Sequence, residues 1–411
     1  MRYIINDRLS LSRPPEGPLA VHIRPFGKWA FEQGYVWYSV HRRVLLSAGF
    51  SQWLQRRGVA IQDVSWEHPA QYLRHRARQQ YIAYSDPPSL RQFMEFLQRD
   101  GIIAAEKTDF QSATPVGQYV QEFETHLRDQ RALAAATVSH YTSFIRGFLT
   151  ERFGNKTVRL GDLQANDVLG FVQRQSLHMR FKWAKLMTTA LRCFFGFARY
   201  RGDITADLAA AVPKVAGWAM TSIPRAIAAD EVRKLLSRVD RRSAKGRRDY
   251  AILLLLARLG LRSLEVVCLE LDDIDWTAGC VTVRSKGRQT RLPLPTEVGE
   301  AVVAYLQHGR PCSTSRRLFL RSRAPFLGFR DSTSIAGIVR YAIERAGVTA
   351  PTRGAHQFRH AFATQLLRHG ASLKEIGELL GHRSIEATKI YAKVDIEALR
   401  TLALPWPGGA E

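Results

Sequence analysis

Cysteine is scarce in this chain, four residues among 411, and Cys193, Cys268, Cys280 and Cys312 lie too far apart to form any CxxC pair. That spacing argues against a zinc ribbon or a disulfide framework and suits buried thiols in a reduced compartment. Long apolar runs are missing as well. The most apolar stretch, Ala251 to Leu261, is interrupted by Arg258 and reaches about half the ~20 residues that span a bilayer. Met1 to Gly17 is polar and contains proline, with no apolar stretch long enough for a signal peptide. There is no Gly-rich loop ending in Lys-Ser or Lys-Thr and no His/Cys cluster at zinc spacing. The expectation is a cytoplasmic protein with no membrane contact, no cofactor, no metal and no small-molecule substrate.

Acidic residues are also in short supply. Thirty-seven Asp and Glu face 60 Lys and Arg, a formal net charge of +23. An excess of that size points to a polyanionic partner, because neutralising phosphates releases condensed counterions. Arginine supplies most of it, and its planar fork grips phosphate oxygens in pairs. Selection for solubility or membrane contact is the alternative reading of such a charge. Hydrophobic residues make up 45%, enough for a core in each of two or three domains.

The first half contains two similar stretches. Leu90-Arg91-x-Phe93-x-x-Phe96 ends at Gly101, and Leu191-Arg192-x-Phe194-x-x-Phe197 ends at Gly202. Upstream, Ser39-Val40 leading to Gly49-Phe50 parallels Thr137-Val138 leading to Gly147-Phe148. Apolar residues three and four apart predict amphipathic helices in both. Residues 18–108 and 113–210 therefore read as two related helical domains, with Trp29, Trp37 and Trp53 at packing positions. Pro213 to Arg225 reads as a linker. Beyond it, Asp230 is a candidate helix cap, and Arg248 to Leu259 a buried helix ending near Gly260. Cys280 to Arg284 and Thr290 to Leu294 alternate as two strands joined by the polar turn Ser285 to Gln289. Helical spacing returns at Thr296 and runs almost to Leu404. The fold class expected is mainly α with one small antiparallel β-sheet in the C-terminal half.

Several residues in that half are placed for chemistry. Arg262 follows a helix break, and Glu265 one turn on is set to fix it by an ion pair. Lys286 falls in the hairpin turn. His356 and Arg359 share a helical face, with His360 beside them. Ser372 caps a short helix stopped by Gly381, His382 follows directly, and Tyr391 comes nine residues later. Glu270, Asp272, Asp273 and Asp275 are spaced as solvated carboxylates around Leu271 and Ile274, not as metal ligands.

Taken in order, Arg262 with Glu265, Lys286, His356-x-x-Arg359-His360, Leu380-Gly381-His382 and Tyr391 resemble the signature of the tyrosine recombinase (phage integrase) family. Leu269-x-Leu271-x-Asp273-Ile274-Asp275 and Ser285-Lys286-Gly287 followed by Arg291-Leu292-Pro293-Leu294 are similar to that family too. The resemblance covers about residues 225–400 well and 113–210 loosely. Residues 1–110 fall outside the usual pattern and are read from the repeat as a helical N-terminal domain, a duplicated SAM-like core-binding unit with further double-stranded DNA as its candidate partner. A core-binding helical domain over 113–215 and an α+β catalytic domain over 225–404 would follow. In that reading Arg262, Arg359 and His382 stabilise the charge on a phosphate. His356 is the general base, Lys286 protonates the leaving oxygen, and Tyr391 is the nucleophile. Glu265 and His360 support them. The implied assembly is a homo-tetramer or mixed recombinase assembly on DNA, with Val394, Ile396, Leu399 and Leu402 docking on a neighbour. The extra N-terminal module resembles those of recombinases carried by transposable elements. A type IB topoisomerase and an idle DNA-binding protein of the same fold stay open as alternatives.

Overall fold

A computed structural model describes residues 3–6, 9–104, 114–154, 156–215, 223–285, 288–382 and 384–394. They form two compact units, residues 1–102 together with 220–411, and residues 103–219. Most of the chain is helical, and the sequence explains where helices start and stop.

The first segment contains α1 (Ala20–Glu32), α2 (Trp37–Arg56), α3 (His68–Ala77) and α4 (Asp86–Arg99). The second unit contains α5 (Pro115–Thr125), α6 (Ala135–Phe153), α7 (Ala165–Ser176), α8 (Phe181–Tyr200) and the short α9 (Leu208–Ala211). The matching stretches of sequence do matching work. Leu90, Phe93 and Phe96 are buried on α4, and Leu191, Phe194 and Phe197 on α8. Both helices end just before a glycine at positive φ, Gly101 at 73° and Gly202 at 80°. Phe26 of α1 packs on Phe93 at 4.8 Å, and Phe123 of α5 packs on Phe194 at 5.3 Å between ring centroids. Trp53 is core as expected, but Trp37 is 55% exposed, because it opens α2 on the outer face. A two-stranded hairpin, β1 (Tyr3–Asn6) and β2 (Leu9–Leu11), precedes α1 and was hidden in a stretch that reads only as polar.

The C-terminal half is built around α11 (Ala244–Arg258). Every residue from Ala251 to Leu256 is buried, so this middle stretch of the helix is apolar all round and covered on all sides. Each fully buried leucine there contributes about 1.5–3 kcal/mol relative to exposure. Around it lie α10 (Ala229–Ser237), α12 (Ser263–Cys268), α13 (Thr296–His308), α14 (Ser332–Ala346), α15 (His356–Arg368) and α16 (Leu373–Leu379). A three-stranded antiparallel sheet runs β3 (Ile274–Asp275), β4 (Cys280–Ser285), β5 (Arg288–Pro293) in that spatial order. Its β4–β5 register runs from Cys280↔Pro293 to Ser285↔Arg288, so the strands continue further toward the turn than the sequence pattern implies.

Three other expectations need correcting. Asp230 lies inside the first turn of α10, whose N-cap is Ala228. The helical pattern after Thr296 is not continuous: residues 309–331 and 347–355 are irregular, and the first carries strand-like bridges at Leu320↔Gly328 and Arg317↔Glu270. The carboxylates near Ile274 are not simply solvated, because arginines claim them. Asp273, 2% exposed, pairs with Arg284 at 2.7 Å, and Asp275 with Arg291 at 2.6 Å; Asp272 pairs with Arg316.

Candidate active site

Gly260 lets the chain turn sharply after α11. Its φ is +59°, and a Cβ there would meet the Phe362 ring at 2.7 Å. The turn brings Arg262 to the N-cap of α12, where Glu265 holds it twice. One carboxylate oxygen accepts from the Arg262 backbone N–H and the other from its guanidinium, both at 2.7 Å. Glu265 is buried while the Arg262 side chain remains 31% exposed, so the fixed cation still faces solvent.

Arg359 enters from α15 and is anchored differently. Its Nη1 donates to the Gly260 carbonyl at 2.8 Å, and its Nη2 donates to the Leu380 carbonyl. Burial, then the neighbouring charge of Arg262, push its pKa down to about 10, which leaves it protonated near neutrality. Leu380 ends α16, a helix started by the reciprocal Ser372–Glu375 capping box that its sequence announces. Gly381 then adopts a φ of 61° and hands the chain to His382.

His382 Nδ1 lies 2.7 Å from Thr388 Oγ1. Burial, then the charges of Arg359 and Arg262, hold its pKa at about 4, so the ring is neutral near pH 7. Tyr391 belongs to a 3-10 turn, Lys389–Val394, and is 1% exposed. Its ring stacks parallel to that of His382, 6.5 Å between centroids and 3° apart. Its hydroxyl lies 3.0 Å from His360 Nδ1. Burial raises the Tyr391 pKa, while Arg359 and Arg262 counteract part of that rise.

Arg262, Glu265, Arg359 and His382 line one cavity of about 280 Å³, together with Ser285 and Arg288 of the hairpin. Two guanidinium groups and an imidazole converging on a space of this size are suited to a tetrahedral oxyanion such as a phosphate diester. The structure thus brings together Arg262, Glu265, Arg359, His360, His382 and Tyr391. His356 opens α15, close enough for its charge to lower the proton affinity of His360. Lys286 lies outside the described residues, as do residues 395–411 with the apolar positions Ile396, Leu399 and Leu402. Arg288 and Thr388 were missed from sequence. Arg288 could have been found by asking which side chain pairs across from Ser285, and Thr388 by its place three residues before Tyr391.

A second cleft of about 520 Å³ is lined by Lys245, Arg321, Arg323 and Arg340. None of these four forms an ion pair among the described residues, and the buried Arg321 Nε has no hydrogen-bond partner there. The one carboxylate in the cleft, Asp249, is already bonded to Arg248 at 2.7 Å. Among the described residues no helix is long and apolar enough to cross a membrane.

Comparison with known proteins gives a consistent result. Residues 225–397 match the model of the phage integrase family. The chain is 51% identical over all 411 residues to the integrase/recombinase y4rA of Sinorhizobium fredii, covering all of both proteins. It is 33% identical to the tyrosine recombinase XerD of Mycobacterium tuberculosis over 308 residues, 70% of this chain and 96% of that one. Among solved structures it resembles the XerH site-specific recombinase bound to its palindromic difH substrate in a post-cleavage complex. There the TM-score is 0.55 at 19% identity, over 70% of this chain and 84% of that one.

Proposed function

The chain belongs to the phage integrase family of tyrosine recombinases, and from that membership we propose that it cuts and rejoins double-stranded DNA at specific sites through a 3′-phosphotyrosine. The observation that carries this reading is the cavity in which Arg262, Arg359 and His382 converge, with Tyr391 stacked beside His382. In the proposed step the Tyr391 hydroxyl oxygen attacks the scissile phosphorus. An Oη–P bond forms, the P–O5′ bond breaks, and the 5′-oxygen leaves with a proton from Lys286. The two arginines and His382 stabilise the charge that grows on the non-bridging oxygens. Burial is the main cause of the lowered His382 pKa; a phosphodiester anion in the cavity would offset only the part due to Arg359 and Arg262. The phosphotyrosine keeps the energy of the bond it replaced, and the reverse attack by a 5′-hydroxyl rejoins a strand without ATP.

The cleft of Lys245, Arg321, Arg323 and Arg340 would hold a further stretch of phosphate backbone, giving affinity without sequence information. The helical domain of residues 113–215 and the catalytic domain of 225–404 would close on the duplex together, with four protomers joining two sites. Such an enzyme works at the nucleoid. The full-length match to y4rA means that residues 1–110 are shared by that relative. Incubation with a nicked suicide substrate carrying the recombination site, followed by a denaturing gel, tests the proposal. A covalent adduct that disappears in Tyr391→Phe while DNA binding persists is the expected result. Supercoil relaxation by a monomer, with no joining of two sites, would mean a topoisomerase instead.

A further inference from the structure

The Tyr391 hydroxyl has a bonded partner other than the one the family pattern assigns. We infer that His360 takes the proton from Tyr391 during cleavage, an inference that rests on the recombinase reading above. The resemblance gives this task to His356, one helical turn earlier. His360 Nδ1 stands 3.0 Å from Tyr391 Oη, within the ~2.6–3.2 Å reach that a general base requires.

The polarity of the pair suits the transfer. Burial favours the protonated, neutral tyrosine, whose hydroxyl has a hydrogen to give. Burial, then the charges of His356 and Arg359, favour the neutral imidazole, whose Nδ1 accepts in the tautomer that carries its hydrogen on Nε2. The groups facing the pair come from four places. His356 and Arg359 share α15 with His360, His382 follows α16, Arg262 caps α12, and Glu265 stands behind Arg262. Arg262 and Arg359 favour the phenolate that forms as the proton leaves. The acceptor is also well fixed. Its neighbour Arg359 ties α15 to the Gly260 and Leu380 carbonyls, whereas Tyr391 rides on a short 3-10 turn. His360 is half-buried, so the proton it gains has a route to water.

The step balances. The hydroxyl proton passes to His360 Nδ1 as the Oη–P bond forms and the P–O5′ bond breaks, and a separate acid protonates the 5′-oxygen. In the rejoining step a 5′-hydroxyl attacks the phosphorus, and the departing Oη recovers its proton from the His360 imidazolium.

The test uses the full chain in single-turnover cleavage of the suicide substrate across a range of pH, with His360→Ala, His360→Asn and His356→Asn. The Asn variant at 360 sets an amide near the position of Nδ1, which keeps a hydrogen bond to the tyrosine without a titrating group. It therefore remains informative if the Ala variant folds poorly. Both His360 variants are expected to bind DNA like the parent and to form adduct about 10²–10⁴-fold more slowly. The acidic limb of the pH–rate profile should vanish with them and persist in His356→Asn. Near-parental cleavage by His360→Asn would reduce His360 to a positioning residue and overturn the inference. Faster cleavage by either His360 variant would overturn it too, by making the bond a restraint. Loss of the acidic limb in His356→Asn alone would return the task to His356. Absence of any adduct from the parent, or an adduct that survives Tyr391→Phe, would instead sink the recombinase reading itself.

Discussion

The two sides of the site are built to different standards. On one side Arg262 and Arg359 are fixed through the buried Glu265 carboxylate and the backbone carbonyls of Gly260 and Leu380. On the other, Tyr391 sits on a 3-10 turn, buried against Ala363, Ile376 and Leu380, with side-chain bonds from His360 to its hydroxyl and from Thr388 to His382. Backbone-anchored charges are pre-organised and need no rearrangement when charge develops on a substrate. A 3-10 turn has poorer hydrogen-bond geometry, and each side-chain bond there is worth only about 0.5–1.5 kcal/mol net. The lesson is that the cations are anchored by backbone and buried carboxylate, while the proposed nucleophile is held by packing and side-chain bonds on a short turn.

Substitutions that strike one side and spare the other make this contrast measurable. The largest effect is expected from Arg359→Met. It removes a cation from the cavity and leaves two buried carbonyls without a donor, at about 1–3 kcal/mol each. Denaturant melts should show a clear loss of stability together with loss of the covalent adduct, whereas Tyr391→Phe should melt like the parent. An Arg359→Met protein as stable as the parent would erase the distinction between the two sides. Glu265→Gln is milder, because the amide still accepts from the Arg262 N–H but no longer neutralises its guanidinium. Cleavage should slow by about tenfold, near 1.4 kcal/mol of barrier, with little change in melting.

Acidity probes the other side. Folding holds the pKa of His382 near 4, against an ordinary value of 6.5. The unfolded chain therefore binds the proton more readily across that interval. This contribution to stability is full above about pH 6.5 and declines as the pH falls toward 4. Melts of the parent and of His382→Asn over this window should differ in slope, because the variant lacks the titrating ring. The smallest effect belongs to the second cleft. Arg321→Ala should reduce the slope of log affinity against log salt by about 0.9, the share of a single neutralised phosphate, and leave the adduct chemistry intact.

The anchored side was also the more legible in sequence. Arg262 with Glu265, and Arg359 three residues after His356, follow from helix periodicity and the break at Gly260, which are local properties. Leu380-Gly381-His382 is likewise a local stop, and the Ser372 cap announces the helix before it. What could not be read were contacts across the fold. That Arg359 would spend its donors on the carbonyls of Gly260 and Leu380 depends on packing between α11, α15 and α16. That His360 would meet Tyr391, 31 residues away, depends on the same packing. Trp37 failed for the opposite reason: apolar spacing marks a helical face but does not say whether anything covers it. The β1–β2 hairpin escaped because strands of four and three residues are too short for alternation to register.

The double duty of Arg359 has a consequence for how copies of such a gene decay. Tyr391 can lose its single oxygen to become phenylalanine, keep its buried ring, and leave behind a folded protein that occupies DNA without cutting it. Arg359 offers no comparable exit, since the mutation that silences the chemistry also unseats the helices it joins. Among inactivated descendants, intact but inert proteins should therefore be found with changes at the tyrosine. Changes at this arginine should mark lineages in which the protein itself has been lost.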